Sequence, residues 1–167
     1  MTSRIKQSHE TIYPIETAYI RYDVASGTNG GATTAGSYQA RPVNTLYNPR
    51  SFGWITSPSS NIWTMAAGRY LISGAAVVHR GASVRHRLYS ITGAQSIATS
   101  INAYGNPADD VSSLSILDDE FVLLANSQIQ LQYHVQISTT AQDLGVPKTN
   151  GEIERYVNLK FQRIGDV

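Results

Sequence analysis

From Ser127 to Ser138 the chain alternates with a period of two. Ile129, Leu131, Tyr133, Val135 and Ile137 share one parity, and Gln128, Gln130, Gln132, His134 and Gln136 share the other. Successive side chains of a strand point to opposite faces. The segment therefore predicts a strand with one apolar face and one face of uncharged hydrogen-bonding groups. A helix would scatter the same residues around its circumference. The closing segment, Ile153 to Arg163, predicts a second such strand, with Val157, Leu159 and Phe161 inward and Asn158, Lys160 and Gln162 outward. Arg69 to Arg80 differs because it is apolar on both parities: Tyr70, Ile72, Ala76 and Val78 on one, Leu71, Ala75 and Val77 on the other. Such a strand is expected to be covered on both faces, the second by another strand or another subunit. Gly74, Ala75 and Ala76 are small enough to allow close approach there.

Further strands are predicted at Thr17 to Val24, Tyr38 to Leu46, Ser51 to Thr56, Asn61 to Met65, Val84 to Ile91, Ser96 to Tyr104, Ser112 to Leu117 and Glu120 to Leu124. Turn signals separate them, among them Asn29-Gly30, Asn48-Pro49, Pro58, Gly81, Thr92-Gly93, Asn106-Pro107 and Asn150-Gly151. No helical stripe of useful length interrupts the series. About eight to ten short strands with regular turns predict an all-β fold, a two-sheet antiparallel jelly-roll sandwich. Residues 1–16 are polar, carry both signs of charge and end near Tyr13-Pro14-Ile15. They predict an extended N-terminal arm that reaches at most about 50 Å at ~3.3 Å per residue. Residues 17–167 form the jelly-roll domain.

Composition narrows the function classes. Charged residues make up 15% of the chain, well under the ~25% of an average soluble protein. The net charge is +1 with no long basic run, so nucleic acid is not an expected partner. The chain contains no cysteine, which removes disulfides, thiolate metal sites and cysteine nucleophiles together. Met1 to Glu16 lacks the apolar stretch of a signal peptide. No segment approaches the ~20 apolar residues of a membrane span, so no membrane association is expected.

The central motifs carry a family resemblance. Trp63, followed after four residues by Gly68-Arg69-Tyr70-Leu71-Ile72, resembles the entry to the long central strand of the tumour necrosis factor and complement globular-head jelly rolls. A phage branch of that superfamily is more similar still. Its ordered elements have counterparts in Asn29-Gly30-Gly31, Arg41-Pro42-Val43-Asn44-Thr45, Gly68-Arg69-Tyr70, Arg87-Leu88-Tyr89 and Ser112-Ser113-Leu114-Ser115. The amide-bearing strand Ile129 to Gln132 and the closing strand Arg155 to Arg163 complete the likeness, which spans roughly residues 17–164. The resemblance implies a homotrimeric virion part: a head decoration or cement protein, or a fibre tip. The short arm and the lack of a shaft region depart from a complete tail fibre.

The candidate sites follow. In the resembled superfamily, aromatic and aliphatic side chains from long strands line the three-fold axis. By that likeness a trimer interface is expected at Tyr70, Ile72, Ala76, Val78, Tyr89 and Tyr133. The same tyrosines suit a protomer core equally well, since a phenol packs apolar area and keeps a hydroxyl for hydrogen bonding. In the arm, Arg4, Lys6, His9, Tyr13 and Ile15 are the expected capsid contacts. Asp109, Asp110, Asp118, Asp119 and Glu120 are the dense acidic groups, but they lack a calcium-loop pattern and read as solvated turns. His79, His86 and His134 lie on predicted strands without zinc-ligand spacing. The glycine-rich loop Ala25 to Gly36 spells out neither nucleotide fingerprint. No nucleophile elbow is present. No catalysis, cofactor or metal is expected. The expected role is a trimeric capsid decoration or cement protein on the virion surface, partnered by the major capsid protein. The alternative is a receptor-binding tip or adaptor of a tail fibre, whose loops Ala25 to Gly36, Tyr104 to Val111 and Thr139 to Gly151 meet a bacterial surface glycan or protein.

Overall fold

The computed structural model describes residues 15–80, 83–106, 111–138 and 142–167. Among these, eleven strands and no helix form two antiparallel sheets. In chain order the strands are β1 (Glu16–Val24), β2 (Gln39–Ala40), β3 (Thr45–Tyr47), β4 (Ile62–Met65), β5 (Gly68–His79), β6 (Ser83–Ser90), β7 (Gln95–Thr99), β8 (Ala103–Tyr104), β9 (Ser112–Leu123), β10 (Ser127–Val135) and β11 (Glu154–Gly165). The first sheet has the order β3-β1-β11-β5-β9. The second runs β2-β10-β6-β7, with β4 also pairing β10 and β8 also pairing β6. The chain passes repeatedly from one sheet to the other, so neighbours in space are distant in sequence. This is the expected jelly-roll sandwich.

Differences from the sequence reading have local causes. The expected strand Tyr38 to Leu46 is two short strands in different sheets. Pro42 lies between them and cannot donate to a ladder, and the chain uses that break to cross the sandwich. Ser51 to Thr56 forms only the isolated bridge of Ile55 to Met65, after a left-handed turn at Ser51. Ser112 to Leu117 and Glu120 to Leu124 are one strand: the Asp118-Asp119 pair stays in register with Ser73 and Ile72 of β5. Ile137 lies beyond the end of β10 and is exposed.

A run of aromatic rings fills the centre. Phe52, Trp54, Tyr70, Phe121, Phe161 and Trp63 follow one another with centroid separations of 6.4, 5.4, 5.5, 6.5 and 6.1 Å. Trp63 belongs to the second sheet and Phe161 to the first, so their edge-to-face contact joins the layers. Gly74 on β5 is required by a close approach, because a Cβ there would clash with the Asn158 carbonyl oxygen and Leu159 Cα of β11. Among the described residues the apolar core forms two separate clusters. The smaller, Val78, Val84, Ala103, Tyr133, Val135 and Leu144, closes one end of the sandwich.

Candidate functional site

The outer face of the first sheet carries an apolar strip at its β9 side. Ser115 and Leu117 of β9 face the core and are fully buried, whereas the alternate residues Leu114 and Ile116 point outward and are 56% and 43% exposed. At Ser115 this departs from the expected order of a half-buried strand, a small polar residue facing in while Leu114 and Ile116 face out; Leu117, Phe121 and Leu123 face in as expected. Ser115 tolerates burial because its hydroxyl bonds the Ser100 hydroxyl at 2.7 Å. Leu114 stands opposite Val77, and Ile116 opposite Ala75. Farther along the same face, beyond exposed Asp118 and Glu120, Val122 and Leu71 are exposed aliphatics. Ile101 borders the strip: its amide donates to the Ile116 carbonyl at 3.0 Å, and its own side chain is exposed.

The β1–β3 side of the same sheet has a different chemistry. Tyr19 and Tyr47 are cross-strand partners, and the Arg21 guanidinium lies 4.9 and 4.7 Å from their ring centroids. Arg21 Nε also donates to Asn158 Oδ1 at 3.0 Å. One side of the sheet is thus aliphatic with Asp118 and Glu120 beside it; the other is aromatic and cationic.

The outer face of the second sheet is polar and ordered. Arg87 on β6 packs its guanidinium 3.6 Å from the Tyr38 ring centroid and 4.4 Å from that of Tyr89. Its Nε donates to Gln132 Oε1 at 2.8 Å, and Gln132 Nε2 donates to Gln130 Oε1 at 2.8 Å. His134 meets the Tyr38 ring edge-on at 5.4 Å. The amide face read from the alternation of β10 is therefore a connected network around one stacked arginine.

At one end of the sandwich the glycine-rich loop and the late loop are tied together. Gly30 N donates to Gly145 O at 2.9 Å, and Leu144 N to Gly31 O at 3.0 Å. Glu154 Oε1 accepts the amides of Lys148, Thr149 and Gly27 at 2.9, 3.0 and 3.3 Å. These hydrogen bonds, led by that from Thr149, hold its carboxyl below the usual value. Tyr156 donates its hydroxyl to Thr28 O at 2.8 Å. A crevice of about 310 Å³ opens beside this junction, lined in part by Val77, His79, Ser112, Lys148 and Arg155. Arg155 is committed to a bidentate pair with Asp23 at 2.7 and 2.9 Å.

The expected interface residues need correction. Tyr70, Ile72, Ala76, Val78 and Tyr133 all lie inside the protomer's own core at 4% exposure or less, so they offer no area to a second copy. They have the inward parity of β5 and β10; the outward parity of β5 is Leu71, Ala75 and Val77. Tyr70 donates its hydroxyl to Ala66 O at 2.8 Å, and Tyr133 accepts the Thr34 amide at 3.3 Å. Tyr89 alone reaches a surface, that of the second sheet. Of the arm residues, Arg4, Lys6, His9 and Tyr13 lie outside the described residues; Ile15 is exposed next to the start of β1. Asp109 and Asp110 also lie outside them. Asp118, Asp119 and Glu120 are in β9 rather than a turn, and Glu120 pairs with Arg69 at 2.7 Å. Among the described residues no group of three or more His, Cys, Asp or Glu is placed to hold a metal.

No protein-family model matches the chain, and no curated protein matches it.

Proposed function

We infer that this chain is a trimeric structural protein of a phage virion, a decoration or cement protein that binds the head shell and acts without catalysis. The observation that supports the reading is the exposed aliphatic pair Leu114 and Ile116 of β9, on either side of buried Ser115. Contiguous exposed aliphatics on a sheet face mark an interaction surface. The occupant is a second copy. The aliphatic, acid-flanked β9 side of one sheet is complementary to the Tyr19–Tyr47–Arg21 side of the same sheet on a neighbour. A contact between two different patches of one surface propagates by rotation, and a rotation of 120° per copy closes it into a ring of three. Three arms carried on one rigid ring then add their modest affinities for neighbouring capsid subunits. Removal of residues 1–16 tests the reading. The shortened chain is expected to remain trimeric and to lose binding to empty capsids; undiminished decoration would refute the arm's role.

The polar face of the second sheet favours a second reading, a receptor-binding tip. Amide groups, two tyrosine rings and a stacked arginine are the groups that recognise hydroxyl-rich surfaces. On that reading Arg87→Ala abolishes binding to host cells and leaves the trimer intact. On the decoration reading Arg87→Ala leaves capsid binding unchanged.

A further inference from the structure

The sequence contains two Asn-Gly steps, Asn29-Gly30 and Asn150-Gly151. At such a step the glycine amide nitrogen can attack the carboxamide of the preceding side chain, because no Cβ obstructs the approach. One step lies on each of the paired loops. The asparagine side chains are held alike: Asn29 Oδ1 accepts the Gly31 amide at 3.0 Å, and Asn150 Oδ1 accepts the Glu152 amide at 3.1 Å.

The glycine amides are held differently. Gly30 is buried, and its N–H donates to the Gly145 carbonyl at 2.9 Å, beside the bond from Leu144 N to Gly31 O at 3.0 Å. The backbone of Leu144 and Gly145 lies so close to Gly30 that an added Cβ would clash with it. A buried amide bonded between two backbones is shielded from base in the solvent and has no room to turn onto the carboxamide. Asn150 and Gly151 are both exposed, with open space where a Gly151 Cβ would stand. Among the described residues the Gly151 N–H meets the Ser26 hydroxyl, at 3.0 Å and on the surface.

We propose that Asn150 is a site of spontaneous deamidation in the folded protein, that the fold protects Asn29, and that the Ser26 hydroxyl sets the rate at Asn150. The Gly151 nitrogen gives its proton to solvent base and bonds to Asn150 Cγ. The Cγ–Nδ2 bond breaks and ammonia leaves, closing a five-membered imide. Water then opens the imide at either carbonyl, to aspartate or to isoaspartate. Isoaspartate lengthens the main chain by one carbon directly after Thr149, whose amide Glu154 holds together with those of Lys148 and Gly27. Conversion at residue 150 therefore loosens the junction of the two loops. The inference is independent of the virion role.

The full-length protein is aged in mildly alkaline buffer, and the peptides carrying residues 29 and 150 are followed by mass spectrometry, with isoaspartate scored by fragmentation. Amide-to-acid conversion is expected to accumulate at Asn150 and to stay at the starting level at Asn29. In the chain unfolded in guanidinium both steps are expected to convert at similar rates, which assigns the difference to the fold. Ser26→Ala is expected to raise the rate at Asn150 roughly two- to tenfold, the worth of one hydrogen bond, and to leave Asn29 intact. Converted protein is expected to exchange the Gly27 and Thr149 amides faster than fresh protein. Equal conversion at both steps of the folded protein, faster conversion at Asn29, or a Ser26→Ala rate equal to the parent's would overturn the proposal.

Discussion

Val77 stands opposite Leu114 on the outer face of the first sheet, one strand from its edge. On the inward side of the same two strands, Ala76 pairs with Ser115. The protomer therefore places a small pair in its core and a large aliphatic pair on its surface. Burying an aliphatic side chain contributes about 1.5–3 kcal/mol relative to leaving it exposed. The arrangement forgoes that stabilisation within one chain and makes it available between chains.

His86 gives the fold an acid-sensitive core. Burial first, and the Arg41 charge second, hold its pKa well below the usual value. In the unfolded chain the group titrates near 6.5. Above that pH the imidazole is neutral in both states and adds no pH dependence. Below it the unfolded chain takes up a proton that the folded chain refuses. Stability then falls with pH by up to about 1.4 kcal/mol per unit until the folded value is reached. Urea titrations from pH 8 to 4 are expected to show this loss, and His86→Gln is expected to remove its part of the slope.

Glu154 acts in a lower window. Its folded pKa is depressed below the 4.5 of the unfolded chain, so its contribution is present above 4.5 and is lost as pH falls through the folded value. Glu154→Gln is expected to speed amide exchange at Gly27, Lys148 and Thr149 at neutral pH. At a pH below the folded value, variant and parent should exchange alike.

Gly74 tests the packing of β5 against β11. Gly74→Ala forces a methyl group into the Asn158 carbonyl and is expected to cost roughly 1–3 kcal/mol in urea denaturation. Gly53→Ala, with nothing within 4 Å of the added carbon, is expected to stay within about 0.5 kcal/mol.

Periodicity made most of the sandwich legible. The alternation in β10 and β11 corresponds to observed burial, because each strand has one face on the core and one on solvent. Sequence could not show which parity of β5 faces inward, since both are apolar; that is set by the pairing with β9 and β11. The interface expected at Tyr70, Ile72, Ala76 and Val78 falls on the core parity. Strand β9 was harder still. Leu114 and Ile116 alternate with serines, a pattern that ordinarily turns aliphatics inward. Only the hydrogen bond of Ser115 to Ser100, from a distant loop, shows why the serine can be buried. Arg41 was visible as part of a motif, but its burial follows from a crossing between sheets at Pro42 that no periodicity marks.

The most direct test is a native mass measurement on the full-length chain and on Ile116→Glu. Ile116 is 43% exposed, so the substitution leaves the protomer core untouched and places a charge in the strip. The parent is expected at three times the 18.2 kDa chain mass, and Ile116→Glu at one. A parent chain that stays at one mass at micromolar concentration, or an Ile116→Glu trimer as stable as the parent's, would contradict the account.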